Sequence, residues 1–426
     1  MSIQLTRRSV IGSLGAIAVG AGLSACGSSS SSSGSSGSNG GGKTLELFNY
    51  DTPAQAALTK KVLDAYTKSS GVSVTLSTLP GSGAAIYPGK LRTQILGGSA
   101  PDVFQCWGGT IAKPFVDTNQ VIPLDALYQK YGWSSELLPA SVTDLSYNGK
   151  KYGVPTKASS VGVWYNTALL AKSGHGVPTT FAEVETVNAA LVKAGVQPWL
   201  AGGMYGWDVM RFFEWFLEHT AGPVEHDKLR NAQTSWNTSS VVDAFALLQK
   251  WAQNKWLPDG VMALDPTQVE AQFAGGKGAF ALDGQWIEQN IVAAKMPTSA
   301  YGTFIPPTDQ TPLRYSGFTE GLFITTQSKD PTDSEALIDF YLKPSSQELL
   351  QNAYTTVTAV PDITGYPGTA QWKKWGQTHQ HYVIQDQSLT VDQANSYFSI
   401  QSDVVQGKQT PAAAAAAMAQ AVPISS

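Results

Sequence analysis

Past a run of serine and glycine, residues 44–107 alternate strand and helix signals in the order βαβαβ. TLELFN (44–49) and VSVTLSTL (72–79) are strand-like, and PDVFQCW (101–107) is a short buried strand. Between the first two, Asp51-Thr52-Pro53 opens a helix whose Leu58, Val62, Ala65 and Tyr66 recur at helical spacing. KLRTQILGG then ends a second helix on glycines. Strands alternating with helices pair as a parallel sheet, and a ligand crevice lies outside the strands' C-terminal ends. Those ends carry Tyr50-Asp51, Thr78 to Gly83 and Gln105 to Gly108.

The residues ahead of this unit are expected to be processed rather than folded. Arg7 and Arg8 precede an apolar, glycine-spaced stretch from Val10 to Gly22, and Leu23-Ser24-Ala25-Cys26 follows. The pattern predicts a signal peptide over 1–25, too short for a comfortable membrane span. It resembles the lipobox of bacterial lipoproteins, which implies lipidation of Cys26. The Arg pair also resembles a twin-arginine signal, so Sec and Tat export both stay open. Residues 26–42 read as a Ser/Gly tether, whose chain from Gly27 onward reaches roughly 20–24 Å as a random coil.

Loss of Arg7 and Arg8 takes the net charge from −4 to −6, which points away from nucleic acid. Charged residues are only 14% of the chain, against about 25% in ordinary domains, so Gly, Ser, Thr, Asn and Gln carry the surface. With Cys26 lipidated, Cys106 has no partner for an intramolecular disulfide. About 380 residues remain to fold, more than the ~250–300 at which single cores stop growing. Two lobes are expected.

Further along, KKYGVPTKASSVGVWYN (150–166) is extended around a proline, and amphipathic helices are predicted at 179–194, 207–219 and 239–256. VEAQFAGGKGAFAL (269–282) is a helix broken at Gly275-Gly276 and then a strand. AYGTFIPP (300–307) is extended, and GFTEGLFIT (317–325) reads as a strand pair around Glu320-Gly321. SEALIDFYL (334–342) and the alanine-rich tail after Pro411 are helical.

Six blocks in order carry a family resemblance. They are GGSAPDVFQCW, KKYGVPTKASSVGVWYNTALLAKSG with VPTTFAEV, FAGGKGAFALDGQW, YGTFIPP, SGFTEGLFITTQSKDPTDSEALIDFYL, and QGKQTPAAAAAAMAQ. From about residue 44 to 420 the chain resembles the extracellular solute-binding proteins of carbohydrate ABC importers, the maltose-binding-like group. The resemblance implies an α/β fold of two lobes, each a mostly parallel sheet flanked by helices, with a sugar in the cleft between them. It implies lobes of 43–157 plus 302–343 and 158–301 plus 344–426, with crossings near Thr156–Ser160, near Tyr301–Phe304 and after Leu342. It also implies a monomer on the outer face of the membrane that delivers its sugar to permease subunits, with the ATPase on separate chains.

Within that frame Trp286, after the Asp283-Gly284 turn, is expected to stack on a sugar; the competing reading is a core plug. A sugar presents a C–H face that lies flat on an indole and a hydroxyl rim that needs planar polar partners. Strand alternation sends Gln105 and Trp107 to one side, toward the cleft, and Cys106 to the other as an inert thiol. The glycine-rich loop AGGMYGWD (201–208) offers Tyr205, Trp207 and Asp208, although Trp207 could equally start a buried helix face. Asp51, Asp283 and Glu320 are strand-end carboxylates suited to vicinal hydroxyls, with Asp51 also a candidate helix cap. Phe318 and Gly321 match the family's cleft segment, and Ser159 sits at the first crossing, free to serve ligand or backbone. Loops 80–90, 201–208 and 354–368 would set which sugar fits.

His379-Gln380-His381 reads as a surface pair, so no metal site and no cofactor are expected. The sequence has no G-x-S-x-G or H-E-x-x-H pattern. Two rivals remain: a glycosidase using Asp283 and Glu320, or a binder of another polar solute such as a polyol, glycerol phosphodiester or peptide.

Overall fold

The computed structural model describes residues 43–79, 83–351, 356–359 and 366–425. The expected leader, Cys26 and the tether lie outside them, as do parts of the 80–90 and 354–368 loops. Eleven strands are described: β1 (Thr44–Asn49), β2 (Ser73–Thr78), β3 (Val103–Trp107), β4 (Ser146–Tyr147), β5 (Lys150–Lys151), β6 (Gly153–Asn166), β7 (Trp199–Leu200), β8 (Phe280–Gly284), β9 (Tyr301–Phe304), β10 (Arg314–Ile324) and β11 (Gln380–Val383). β4 and β5 form a small hairpin. The others share one sheet of main order β2-β1-β3-β10-β6-β8-β7, with β11 beside β10 and β9 beside β6.

The opening βαβαβ unit forms as its sequence dictates. The helix Pro53–Ser70 starts from a capping box in which the Thr52 hydroxyl accepts from Gln55 N at 3.3 Å and the Gln55 side chain returns to Thr52 N at 3.1 Å. It stops at Gly71, which takes the left-handed φ of 77° that a side chain resists. β1 then pairs in parallel with β2 and β3.

The middle of the sheet is antiparallel. β10 runs opposite to both β3 and β6, and β6 opposite to β8 and β9. The first half of the fourteen-residue β6 pairs with β10 and its second half with β8 and β9, so β6 and β10 join the two ends of the sheet. Glu320-Gly321 is not a turn between two strands, as its sequence suggested. β10 continues through it with only a register shift, because Gly321 lies against Leu145 and the Val154 carbonyl, where a Cβ would come within 2.2 and 2.6 Å.

The apolar clusters fall in two groups, one per lobe. Alternation along β1 and β3 sends Leu47 and Val103 to one face, against Leu63 and Leu337, and Phe48, Phe104 and Cys106 to the other, against Tyr87 and Leu91. Along β6 and β8 the same alternation sends Val161, Val163 and Leu282 under the helices Trp207–Thr220 and Ser239–Gln253, and Trp164 and Ala281 under Trp372 and Ile287. Each fully buried side chain of this size contributes about 1.5–3 kcal/mol of transfer free energy.

Tyr301–Phe304 pairs with Val163–Asn166 at the far end of β6, and Trp215 Nε1 donates to Pro307 O at 2.8 Å just beyond it. After Leu342 the helix Pro344–Leu350 packs on Pro53–Ser70, and Leu138 N donates to Thr356 O at 3.1 Å.

Candidate functional site

Two polar–aromatic sets are built around the joining strands. The first is built at the ends of β1 and β3. Tyr50 stacks on Trp107 with ring centroids 3.9 Å apart and planes 16° from parallel, and Tyr87 meets both edge-on. Two residues earlier on β3, Gln105 Nε2 donates to Glu320 Oε2 at 2.6 Å. Sheet register places Glu320 opposite both Trp107 and Lys157. The Lys157 ammonium thus sits 3.6 Å from Glu320 and 3.5 Å from Asp51. Asp51 is not the helix cap, a role filled by Thr52; it accepts instead from Asn49 Nδ2 at 2.7 Å and Thr59 Oγ1 at 2.6 Å. Burial and the nearby Glu320 charge push the Tyr50 hydroxyl far above its usual range. Cys106 is fully buried on the opposite side, where desolvation pushes its thiol up and leaves it inert.

The second set comes from the loop entering the helix Trp207–Thr220 and from the end of β8. Asp208 accepts from Gly202 N at 2.6 Å. One turn on, Arg211 donates to Asp283 Oδ1 at 2.7 Å and to Asp208 Oδ1 at 3.3 Å. The same guanidinium lies 4.5 Å from the Trp207 ring centre and 5.2 Å from that of Trp286, so one cation backs both indoles. Trp286 Nε1 donates to Glu270 Oε1 at 3.0 Å. The ring lies across Gly284, where a Cβ would be 1.9 Å away, and meets Phe318 at 5.7 Å. Asp208, Asp283 and Glu270 share Arg211 in a dry environment. Desolvation, with the Asp283 charge adding to it, pushes Asp208 up to about 7 and Glu270 up to about 8.

Trp107 and Trp286 are both only partly buried, and both pack against the cluster that contains Phe318. Next to Trp107, Gly109 and Thr110 touch the segment Asp386–Leu389: the Thr110 hydroxyl donates to Leu389 O and, at 3.4 Å, to Asp386 O. Gly109, at φ 60°, leaves room for Gln387 O where a Cβ would be 2.0 Å from it. Ser159, opposite Phe318, is 4% exposed and its hydroxyl has no hydrogen-bond partner. Tyr205 is half-buried in the loop ahead of its helix. Gly321 does not reach the site; it is spent on packing between strands.

A cavity of about 560 Å³ adjoins the joining strands, with Ser159, Ser160, Tyr315, Phe318, Trp372 and His381 in its lining.

Sequence reasoning missed Lys157, Arg211, Glu270 and the Asp386–Leu389 segment. Arg211 had a signal, being three and four residues from Asp208 and Trp207 on one helix face. Lys157, set among uncharged residues on a crossing strand, was the other. Glu270 and Asp386–Leu389 carried none.

The family model of bacterial extracellular solute-binding proteins matches residues 50–348. A Rhizobium meliloti (strain 1021) protein named "Probable sugar-binding periplasmic protein" is 24% identical over 77% of this chain and 78% of its own length. A maltooligosaccharide ABC transporter solute-binding lipoprotein of Streptococcus pneumoniae serotype 4 is 24% identical over 75% of this chain and 74% of its own. Among solved structures, a chitin oligosaccharide binding protein superimposes with a TM-score of 0.81 at 20% identity, over 89% of this chain and 98% of that one. The fold is that of two-lobed, maltose-binding-like solute receptors. The chain belongs to the bacterial extracellular solute-binding protein family.

Proposed function

We propose that this chain is the receptor of an ABC importer and captures a sugar or oligosaccharide between its lobes, without altering it, for delivery to a membrane permease. What supports this reading most is that Trp107 and Trp286 are both only partly buried, with Glu320 opposite Trp107 in the sheet and Arg211 against the Trp286 ring. Indole faces take the C–H surface of a pyranose and add ~0.5–1.5 kcal/mol per stack beyond buried area. Carboxylates at the rim accept from hydroxyls in charge-assisted bonds about twice as strong as neutral ones. Micromolar capture needs about −8 kcal/mol, which two stacks, a few such bonds and desolvation can supply.

Both cations at the site are matched by carboxylates, Lys157 by Asp51 and Glu320 and Arg211 by Asp208 and Asp283. That balance favours a neutral ligand over a phosphodiester. The glycosidase rival would need Asp283 and Glu320 as acid and nucleophile, yet one is engaged by Arg211 and the other by Gln105 and Lys157. We take the lobes to be residues 43 to about 158 plus about 319–358, and the intervening and final segments. Lipidation at Cys26, anchoring on the outer membrane face and a monomeric state complete the proposal. No helix among the described residues is long and apolar enough to cross a membrane.

Incubating the purified protein with a panel of oligosaccharides tests this. Saturable rises in melting temperature without new reducing ends are expected; ligand at 100 times Kd adds ~2.7 kcal/mol. Reducing ends that accumulate with time would mean an enzyme.

A further inference from the structure

Behind the Gln385–Gln387 turn, where the helices Trp207–Thr220 and Val391–Val405 pack against it, lies a knot of polar side chains sealed from solvent. Glu214, Gln385, Tyr397 and Trp236 are 0% exposed and Gln401 is 1% exposed. Glu214 uses Oε1 to accept from Gln385 N at 2.5 Å. Its Oε2, both polar atoms of Gln385, both of Gln401, the Tyr397 hydroxyl and Trp236 Nε1 have no bond of good geometry to the protein, although the Tyr397 hydroxyl and the Gln401 amide lie close enough to interact with each other. The groups are neighbours: Tyr397 and Gln401 are one turn apart on the same helix, the Trp236 and Tyr397 rings are 5.7 Å apart, and Glu214 and Asp386 both act electrostatically on Tyr397.

More than nine-tenths of buried polar groups in folded proteins are hydrogen-bonded, so this many open valences at one junction call for an occupant. We propose that the knot encloses a cluster of ordered water molecules that bridges Glu214, Gln385, Tyr397 and Gln401 and so holds the Asp386–Leu389 segment at its contact with Gly109 and Thr110. The chemistry selects water over an ion. A metal cation would satisfy only the oxygens, leaving two amide N–H₂ groups and an indole N–H open, and would face Arg230, whose charge acts on Glu214. An anion would satisfy only the donors and would leave the amide oxygens of Gln385 and Gln401 open. Water donates and accepts. At about three bonds per buried water, seven open atoms accommodate about two or three molecules.

The site lies outside the space between Trp107 and Trp286 and does not depend on what that space binds. A crystal structure at a resolution that shows ordered solvent tests it on the unaltered protein. Water peaks within hydrogen-bond distance of Glu214, Gln385 and Gln401 are expected. Direct pairing of the two amides with no density between them would overturn the proposal, as would a peak with oxygen ligands at the ~2.3–2.6 Å of a coordinated cation. The variant Gln401→Leu gives an independent reading. If water bridges Gln401, the change strands its partners and lowers the melting temperature by about 2 °C or more. If the amide is a dry orphan, its removal raises the melting temperature and the proposal fails.

Discussion

Gln105 and Glu320, 215 residues apart, join by a 2.6 Å hydrogen bond between the antiparallel strands β3 and β10. The bond fixes Glu320 beside the Lys157 ammonium, which in turn reaches Asp51. Lys157 is thus the only positive charge in the ion pairs of Asp51 and Glu320 among the described residues. Replacing it as Lys157→Met leaves two buried carboxylates uncompensated. The expected cost is about 2–4 kcal/mol, somewhat below that of a fully buried pair because the lysine side chain is 13% exposed. Urea unfolding measures it; a loss under 0.5 kcal/mol would mean that solvent already neutralises the set.

Arg211 backs both Trp207 and Trp286 while bonding Asp283 and Asp208. Arg211→Lys keeps the charge but loses the planar fork that spans two indoles and two carboxylates. We expect the affinity for the bound sugar to fall about tenfold, equivalent to about 1.4 kcal/mol. Titration calorimetry reads the change; unaltered affinity would remove Arg211 from the site.

Glu214 is fully buried, and desolvation raises its carboxyl from an ordinary 4.5 to about 8. A carboxyl raised on folding binds its proton more tightly in the native state. Its stabilising contribution is complete at acid pH and is lost as pH climbs from about 4.5 through about 8. Glu214→Gln cannot ionise. The wild type should therefore lose several kcal/mol relative to this variant between pH 5 and pH 9. Parallel pH profiles in denaturant melts would reveal ordinary titration instead.

Gly109 takes φ 60° and leaves no room for a Cβ beside Gln387 O. Gly109→Ala should disturb the contact between Thr110 and Asp386–Leu389 and raise the sugar's dissociation rate about tenfold. Stopped-flow displacement measures that rate. The 560 Å³ cavity makes the opposite prediction: His381→Ala, which enlarges it, should leave affinity within about twofold when the ligand sits on Trp107 and Trp286, neither of which lines it. A large loss there would relocate the ligand to that cavity.

Much of this arrangement was legible in the chain. The apolar runs at 44–49 and 101–107 placed Tyr50, Asp51, Gln105 and Trp107 at strand ends, and alternation sent Cys106 to the core. Trp286 was legible from a glycine turn directly after a strand. Lys157 and Arg211 were missed, because a lysine among uncharged strand residues and an arginine on an amphipathic helix both read as solvated charge. Asp208 was a local signal for Arg211, but Asp51 and Asp283, which complete the two pairings, stand 106 and 72 residues away. No local period encodes such pairings. Nor does a short strand such as Tyr301–Phe304 announce which long strand it will join.

The central claim is that Trp107 and Trp286 present their faces to one ligand, and titration calorimetry of Trp286→Ala against the sugar that best stabilises the wild type tests it most directly. The account predicts an affinity at least tenfold weaker, about 1.4 kcal/mol or more, with the melting temperature nearly unchanged. Unchanged affinity joined to a large loss of stability would make Trp286 a core residue and contradict it.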